Sequence, residues 1–147
     1  MAPEWTVAIA ELARARIQQG RWRAAAEMLD RVEPGWGGFV ADVGEGRRGA
    51  ARHRLEAWLS AKDPYVAPYW LAERCVWAGE VGAALDALRM AREDRQLQVM
   101  FAAVEPAFRP LHGIREFRRL VECIGCGTAL GRAPAHPAVG MLSTSPG

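Results

Sequence analysis

Lysine is nearly missing from this chain: Lys62 is the only one, and the other basic residues of the nineteen are arginines. Seventeen acidic residues offset them to a formal charge of +2. No net field is left to hold nucleic acid or an anionic membrane non-specifically, so neither is expected as a partner. Cysteine is sparse and odd in number, with Cys75, Cys123 and Cys126, which argues against a disulfide framework. Long hydrophobic runs are absent too. The most apolar stretch, Val99 to Val104, ends at Glu105-Pro106, far short of the roughly 20 residues that cross a bilayer. Met1-Ala2-Pro3-Glu4-Trp5 lacks the basic flank and apolar core of a secretory signal, and a cytoplasmic location is expected. HExxH, a P-loop and GxGxxG after a strand are all missing. His53, His112 and His136 have no carboxylate, Ser or Cys partner at a defined spacing. The expectation is a chain that is not an enzyme and carries no cofactor.

What is present is helical. Half of the 147 residues are apolar, enough for one domain with a core of its own. Trp5, Ile9, Leu12, Ala13 and Ile17 recur at three- and four-residue spacing and predict one buried stripe of a first helix. Gly20 interrupts, and Trp22, Ala25, Leu29 and Val32 predict a second helix, ended by Glu33-Pro34-Gly35. Residues 34–46 contain Gly35, Gly37, Gly38, Gly44 and Gly46, each lowering helix propensity by about 1 kcal/mol relative to Ala. An irregular stretch is expected there, with at most one apolar turn at Phe39, Val40 and Val43. A helix resumes near Arg47 with Ala51, Leu55, Trp58 and Leu59 inward, and Asp63-Pro64 stops it. Leu71, Ala72, Cys75 and Ala78, then Gly79, then Ala84, Leu85, Leu88 and Ala91 form the clearest hairpin. A short apolar helix is expected from about Gln96 to Val104. Two prolines, Pro106 and Pro110, then require a turn. The last helix, about Ile114 to Ile124, turns Ile114, Phe117, Leu120, Val121 and Ile124 inward and Arg115, Glu116, Arg118, Arg119 and Glu122 outward. After Gly125 the composition falls to Gly, Ala, Pro, Ser and Thr, and residues 126–147 are expected to be a disordered tail.

The hairpins share a grammar. Leu12-Ala13, Gly20, Ala25, Leu29 and Val32 stand at the same offsets as Leu71-Ala72, Gly79, Ala84, Leu88 and Ala91. Small residues let paired helices approach, and the larger aliphatics fill the groove between successive hairpins. Gly46, Ala51, Leu55 and Trp58 repeat the pattern with a shortened or broken first helix. This grammar resembles that of tetratricopeptide (TPR) repeats. Residues 65–125, with Tyr65-Val66-Ala67-Pro68-Tyr69, Arg95, Val104-Glu105-Pro106-Ala107-Phe108-Arg109-Pro110-Leu111 and Arg115-Glu116-Phe117-Arg118-Arg119-Leu120, are similar to the terminal block that closes many bacterial TPR arrays. The expected units are a hairpin at 4–33, a degenerate unit at 34–62, a hairpin at 65–94 and a terminal cap at 96–125. The resemblance implies an all-α fold, antiparallel hairpins stacked as a short right-handed solenoid. It also implies a protein or peptide partner on the concave face. His112-Gly113-Ile114 stands where the family commonly has an Asp-Pro pair, so the last helix starts without its usual cap.

Carried over residue by residue, the concave face takes Arg14 and Gln18 from the first hairpin and Tyr69, Glu73 and Trp77 from the last. The alternative for Tyr69 and Trp77 is packing against a neighbouring helix. The Lys, Asn and Arg cluster with which some TPR proteins grip a C-terminal carboxylate is absent. Two good hairpins, one damaged one and a cap fall short of the three or so units that such arrays need. This points to self-association, or to a structural place in a larger assembly. Arg47, Arg48, Arg52, His53 and Arg54 read as a solvated helix face. Cys123-Ile124-Gly125-Cys126 lacks both the further ligands of structural zinc and the βαβ context of a thioredoxin site. Purified protein is expected to carry no stoichiometric zinc by elemental analysis; one zinc per chain would reinstate a metal role for this motif.

Overall fold

A computed structural model of the chain describes residues 2–60 and 66–123, apart from the side chain of Pro34. Among these residues there is no strand. The helices are α1 (Pro3–Gln18), α2 (Trp22–Leu29), α3 (Pro34–Gly44), α4 (Arg48–Ser60), α5 (Pro68–Trp77), α6 (Val81–Glu93) and α7 (Arg115–Glu122), with 3₁₀ turns at Leu97–Phe101 and Pro106–Leu111. The fold is all-α. The expected stop at Asp63-Pro64, the inward Ile124, the tail at 126–147 and Cys126 lie outside the described residues.

Three glycines set the hairpins. Gly20, Gly46 and Gly79 have φ of +73°, +71° and +78°, a region in which a side chain costs free energy and Gly does not. In each case the next amide donates back across the helix end, Arg21 to Arg16, Arg47 to Asp42 and Glu80 to Cys75, all at 2.8 Å. These bonds satisfy carbonyls that a helix terminus leaves unpaired. Arg95, at φ +54°, closes α6 the same way, with Gln96 N donating to Ala91 O at 2.9 Å. The sequence offers no glycine to announce that turn.

Around these turns the same positions are buried in each hairpin. Ala13, Phe39 and Ala72 precede the glycines, and Ala25, Ala51 and Ala84, then Leu29, Leu55 and Leu88, follow them, all at most 1% exposed. α2 packs on α3 and α4 on α5, so each hairpin covers the next. The terminal block closes the core with Phe108, Leu111 and Phe117, all fully buried. Tyr69 meets Phe108 edge-on at 5.4 Å between ring centroids.

Four expectations are corrected. The glycine-rich segment is a helix, α3, and the second unit has an intact first helix. A Cβ on Gly37 would lie 2.7 Å from the Ala26 carbonyl oxygen, and one on Gly44 would lie 2.7 Å from Trp22 Cγ. These glycines let α3 press on α2, and burial of Trp36, Phe39 and Val40 outweighs their poor propensity. On α1 the buried stripe is Ala10, Ala13, Arg14 and Ile17. Trp5 and Leu12 are 64% and 48% exposed, because α1 packs on α2 and nothing described covers its other face. On α4, Leu59 is 45% exposed instead of inward. Where a helix is expected from Gln96 to Val104 there is only the 3₁₀ turn Leu97–Phe101, which buries Val99 and is followed by buried Ala102 and Ala103.

Asp42, on α3, is buried and ties α3 to α4: Arg54 Nε donates to its Oδ2 at 2.7 Å and Arg47 Nε to its Oδ1 at 2.8 Å. Burial alone would raise this carboxyl, but the two guanidinium groups outweigh it and hold it below its usual range. Arg52 pairs with Glu56 and lies 3.7 Å from Glu80. Carboxylates thus engage much of the basic run.

Gly37→Ala and Gly44→Ala should each destabilise the fold by about 1–3 kcal/mol in urea unfolding, through overpacking. Gly49→Ala, in open space on α4, should stabilise it by up to about 1 kcal/mol. Arg95→Gly should also raise stability, by roughly 1 kcal/mol, by relieving a left-handed arginine. Equal effects at Gly37 and Gly49 would contradict the close approach of α2 and α3.

Candidate functional site

The first helices of the hairpins are joined by a stack of alternating indole and guanidinium groups. The Arg14 Cζ lies 4.2 Å from the Trp70 ring centroid and 5.3 Å from that of Trp36. The Arg74 Cζ lies 4.7 Å from Trp36 and 4.1 Å from Trp58. The order Trp70, Arg14, Trp36, Arg74, Trp58 therefore runs through α5, α1, α3, α5 again and α4. Each cation–π contact is worth about 0.5–2 kcal/mol, more where water is excluded. Arginine suits the task because its planar group is weakly hydrated and stacks on rings.

Each arginine has a carboxylate. Arg14 Nε donates to both oxygens of Glu73, at 2.9 and 3.2 Å, and its Nη1 donates to Glu11 at 2.6 Å. Arg74 Nη2 donates to Glu33 at 3.2 Å. Glu73 is 1% exposed and Arg74 3%. Burial pushes the Glu73 carboxyl up to about 7 even though Arg14 pulls it down. Burial likewise lowers Arg74, with Glu33 opposing. Arg74 Nε and Nη1 and Trp36 Nε1 have no hydrogen-bond acceptor. For Arg74 the faces of Trp36 and Trp58 supply part of the missing electron density.

Above this stack lies an open groove of about 430 Å³, walled by Thr6, Val7 and Ala10 of α1, by Val32 and Glu33 before α3, and by Val66 and Ala67 before α5. Glu11, Arg14, Trp36, Trp70 and Arg74 complete its lining. Of the residues expected at the concave face, only Arg14 lines it. Tyr69, 2% exposed, and Glu73 lie beneath, with Tyr69 edge-on to Trp70 at 5.0 Å. Gln18 is exposed outside the lining. Trp77 is half-buried, edge-on to Trp22 at 6.4 Å, and lines a separate hollow with Arg48 and Glu80. The sequence reading missed Trp36, Trp70, Arg74, Glu11 and Glu33. Trp36 sat in a segment read as irregular. Arg74 sat on a helix assumed to have one buried face, whereas α5 buries Pro68, Tyr69, Ala72, Glu73, Arg74 and Cys75.

Cys75 is fully buried in α5, and burial pushes its thiol up to about 12. Cys123 is exposed. Among the described residues no three His, Cys, Asp or Glu are placed to hold a metal ion, and no helix is long and apolar enough to cross a membrane. Compared with known family models, curated proteins and solved structures, the chain matches none.

The raised Glu73 carboxyl sets a sign for pH dependence. The folded state holds this proton up to about pH 7, whereas an unfolded Glu releases it near pH 4.3. The contribution is thus complete below about pH 4 and is lost as pH rises to 7. Urea midpoints should fall across that window in the wild type, and the fall should shrink in Glu73→Gln. An unchanged slope in the variant would show that Glu73 titrates normally.

Proposed function

We propose that this chain is a non-catalytic, cytoplasmic protein-interaction module of the TPR type, binding an extended peptide segment of another protein in the groove over Trp36 and Trp70. The observation that carries the reading is the groove: an apolar trough, open to solvent, whose floor is held rigid by the indole–guanidinium stack. Ligand sites are concave, mostly apolar and largely pre-formed. Tryptophan and arginine are also the side chains most enriched at interface hot spots. The repeated turn glycines and buried Ala and Leu positions support the resemblance to TPR hairpins, and the groove runs along first helices, as that resemblance implies.

A second reading, a structural piece that self-associates or caps a larger assembly, is favoured by the exposed Trp5 and Leu12 on α1 and Leu97, Phe101 and Val104 in the terminal block. Large exposed apolar side chains often mark contact surfaces.

The Val7→Gln/Val66→Gln double variant changes the groove walls without touching the stack. In a pull-down from native lysate, specific heterologous partners of the wild type should fall at least fivefold in yield with this variant. Capture of copies of the chain alone, indifferent to the double change, would favour the second reading. Monomeric mass in sedimentation with concentration-independent unfolding would sink that one.

A further inference from the structure

Charge is layered through the groove. The cations lie underneath, Arg74 at 3% and Arg14 at 9% exposure, each covered by indole rings and each already matched to a carboxylate. The acids are more accessible: the side chains of Glu11 and Glu33 are 62% and 33% exposed. Each holds its arginine through one hydrogen bond, and a carboxylate offers about four acceptor positions. A partner entering the groove therefore meets carboxylates beside the apolar walls of Val7, Val32 and Val66, not the guanidinium groups below.

We propose that the groove selects a peptide segment bearing Lys or Arg next to an aliphatic side chain. The proposal rests on the interaction reading above and adds the chemistry of the partner. The aliphatic group lies against Val7, Val32 and Val66, and the cation reaches Glu11 or Glu33. An acidic segment would bring its charge against Glu11 and Glu33, the exposed members of these pairs, while Arg14 and Arg74 lie beneath them out of its reach. Juxtaposed like charges are a strong discriminator between partners. Trp36 Nε1 and Arg74 Nε and Nη1 lack acceptors but are sealed from solvent, so they offer an entering partner no direct contact.

The test is selection of a random 12-residue peptide display library on the immobilised full chain, followed by binding titrations of the enriched peptides. Enriched sequences should pair Lys or Arg with Leu, Ile or Val. They should bind about fivefold or more weakly to Glu11→Gln/Glu33→Gln, in keeping with two partly exposed ion pairs, and unchanged to Glu27→Gln, outside the groove. Because the double change also removes partners of Arg14 and Arg74, salt gives a readout without any variant: wild-type affinity should fall as NaCl rises from about 50 to about 500 mM. Peptides that depend on Val7 and Val66 but are neutral or acidic, or insensitive to salt, would overturn the charge selection and leave the groove reading standing. Failure to enrich any peptide that depends on Val7 and Val66 would overturn both.

Discussion

Two guanidinium groups held between three indoles are the contact on which the rest of the molecule depends. Arg14 and Arg74 bring α1, α3, α4 and α5 to one place, although these helices belong to three different hairpins. Helical repeats usually cohere through nearest-neighbour packing alone. Here the bond from Arg14 to Glu73 joins the first hairpin directly to the third. Buried charge is costly to separate from its partner, because the survivor is left desolvated. The stack therefore holds the hairpins on one another through partners that cannot be removed singly without cost, even though burial makes ionisation of Glu73 itself unfavourable.

Glycine has opposite effects in two contexts. At Gly20, Gly46 and Gly79 it permits a backbone conformation, and any sequence reading finds it. At Gly37 and Gly44 it permits an approach between helices, and the same residue type looks like a helix breaker. α3 forms because α2 lies against it: tertiary burial of Trp36, Phe39 and Val40 overrides a weak local preference. That helix then presents Trp36 to both arginines. The groove floor thus depends on a segment whose local chemistry argues against its own structure.

The layering of charge follows from the same packing. The arginines are drawn inward because their flat faces match the indoles, and their carboxylates are left at different depths. Glu73 follows Arg14 into the interior, while Glu11 and Glu33 remain at the surface. Net charge near zero over the whole chain conceals this arrangement.

The amino-acid sequence by itself determined the helical class, the three turn glycines, the small and large core positions around them, and the inward face of α7. Each rests on local geometry: a φ only glycine adopts freely, or a 3.6-residue period. Arg14 follows only from the resemblance to TPR concave faces, and its place in the lining of a groove was decided by the tertiary structure. Tertiary structure alone decided that α3 is a helix, that Tyr69 and Glu73 are buried, that Arg95 makes a fourth turn, and that Trp36, Trp70 and Arg74 meet Arg14. Those outcomes depend on which helix lies across each residue. A periodicity along one helix carries no information about its neighbour across the groove.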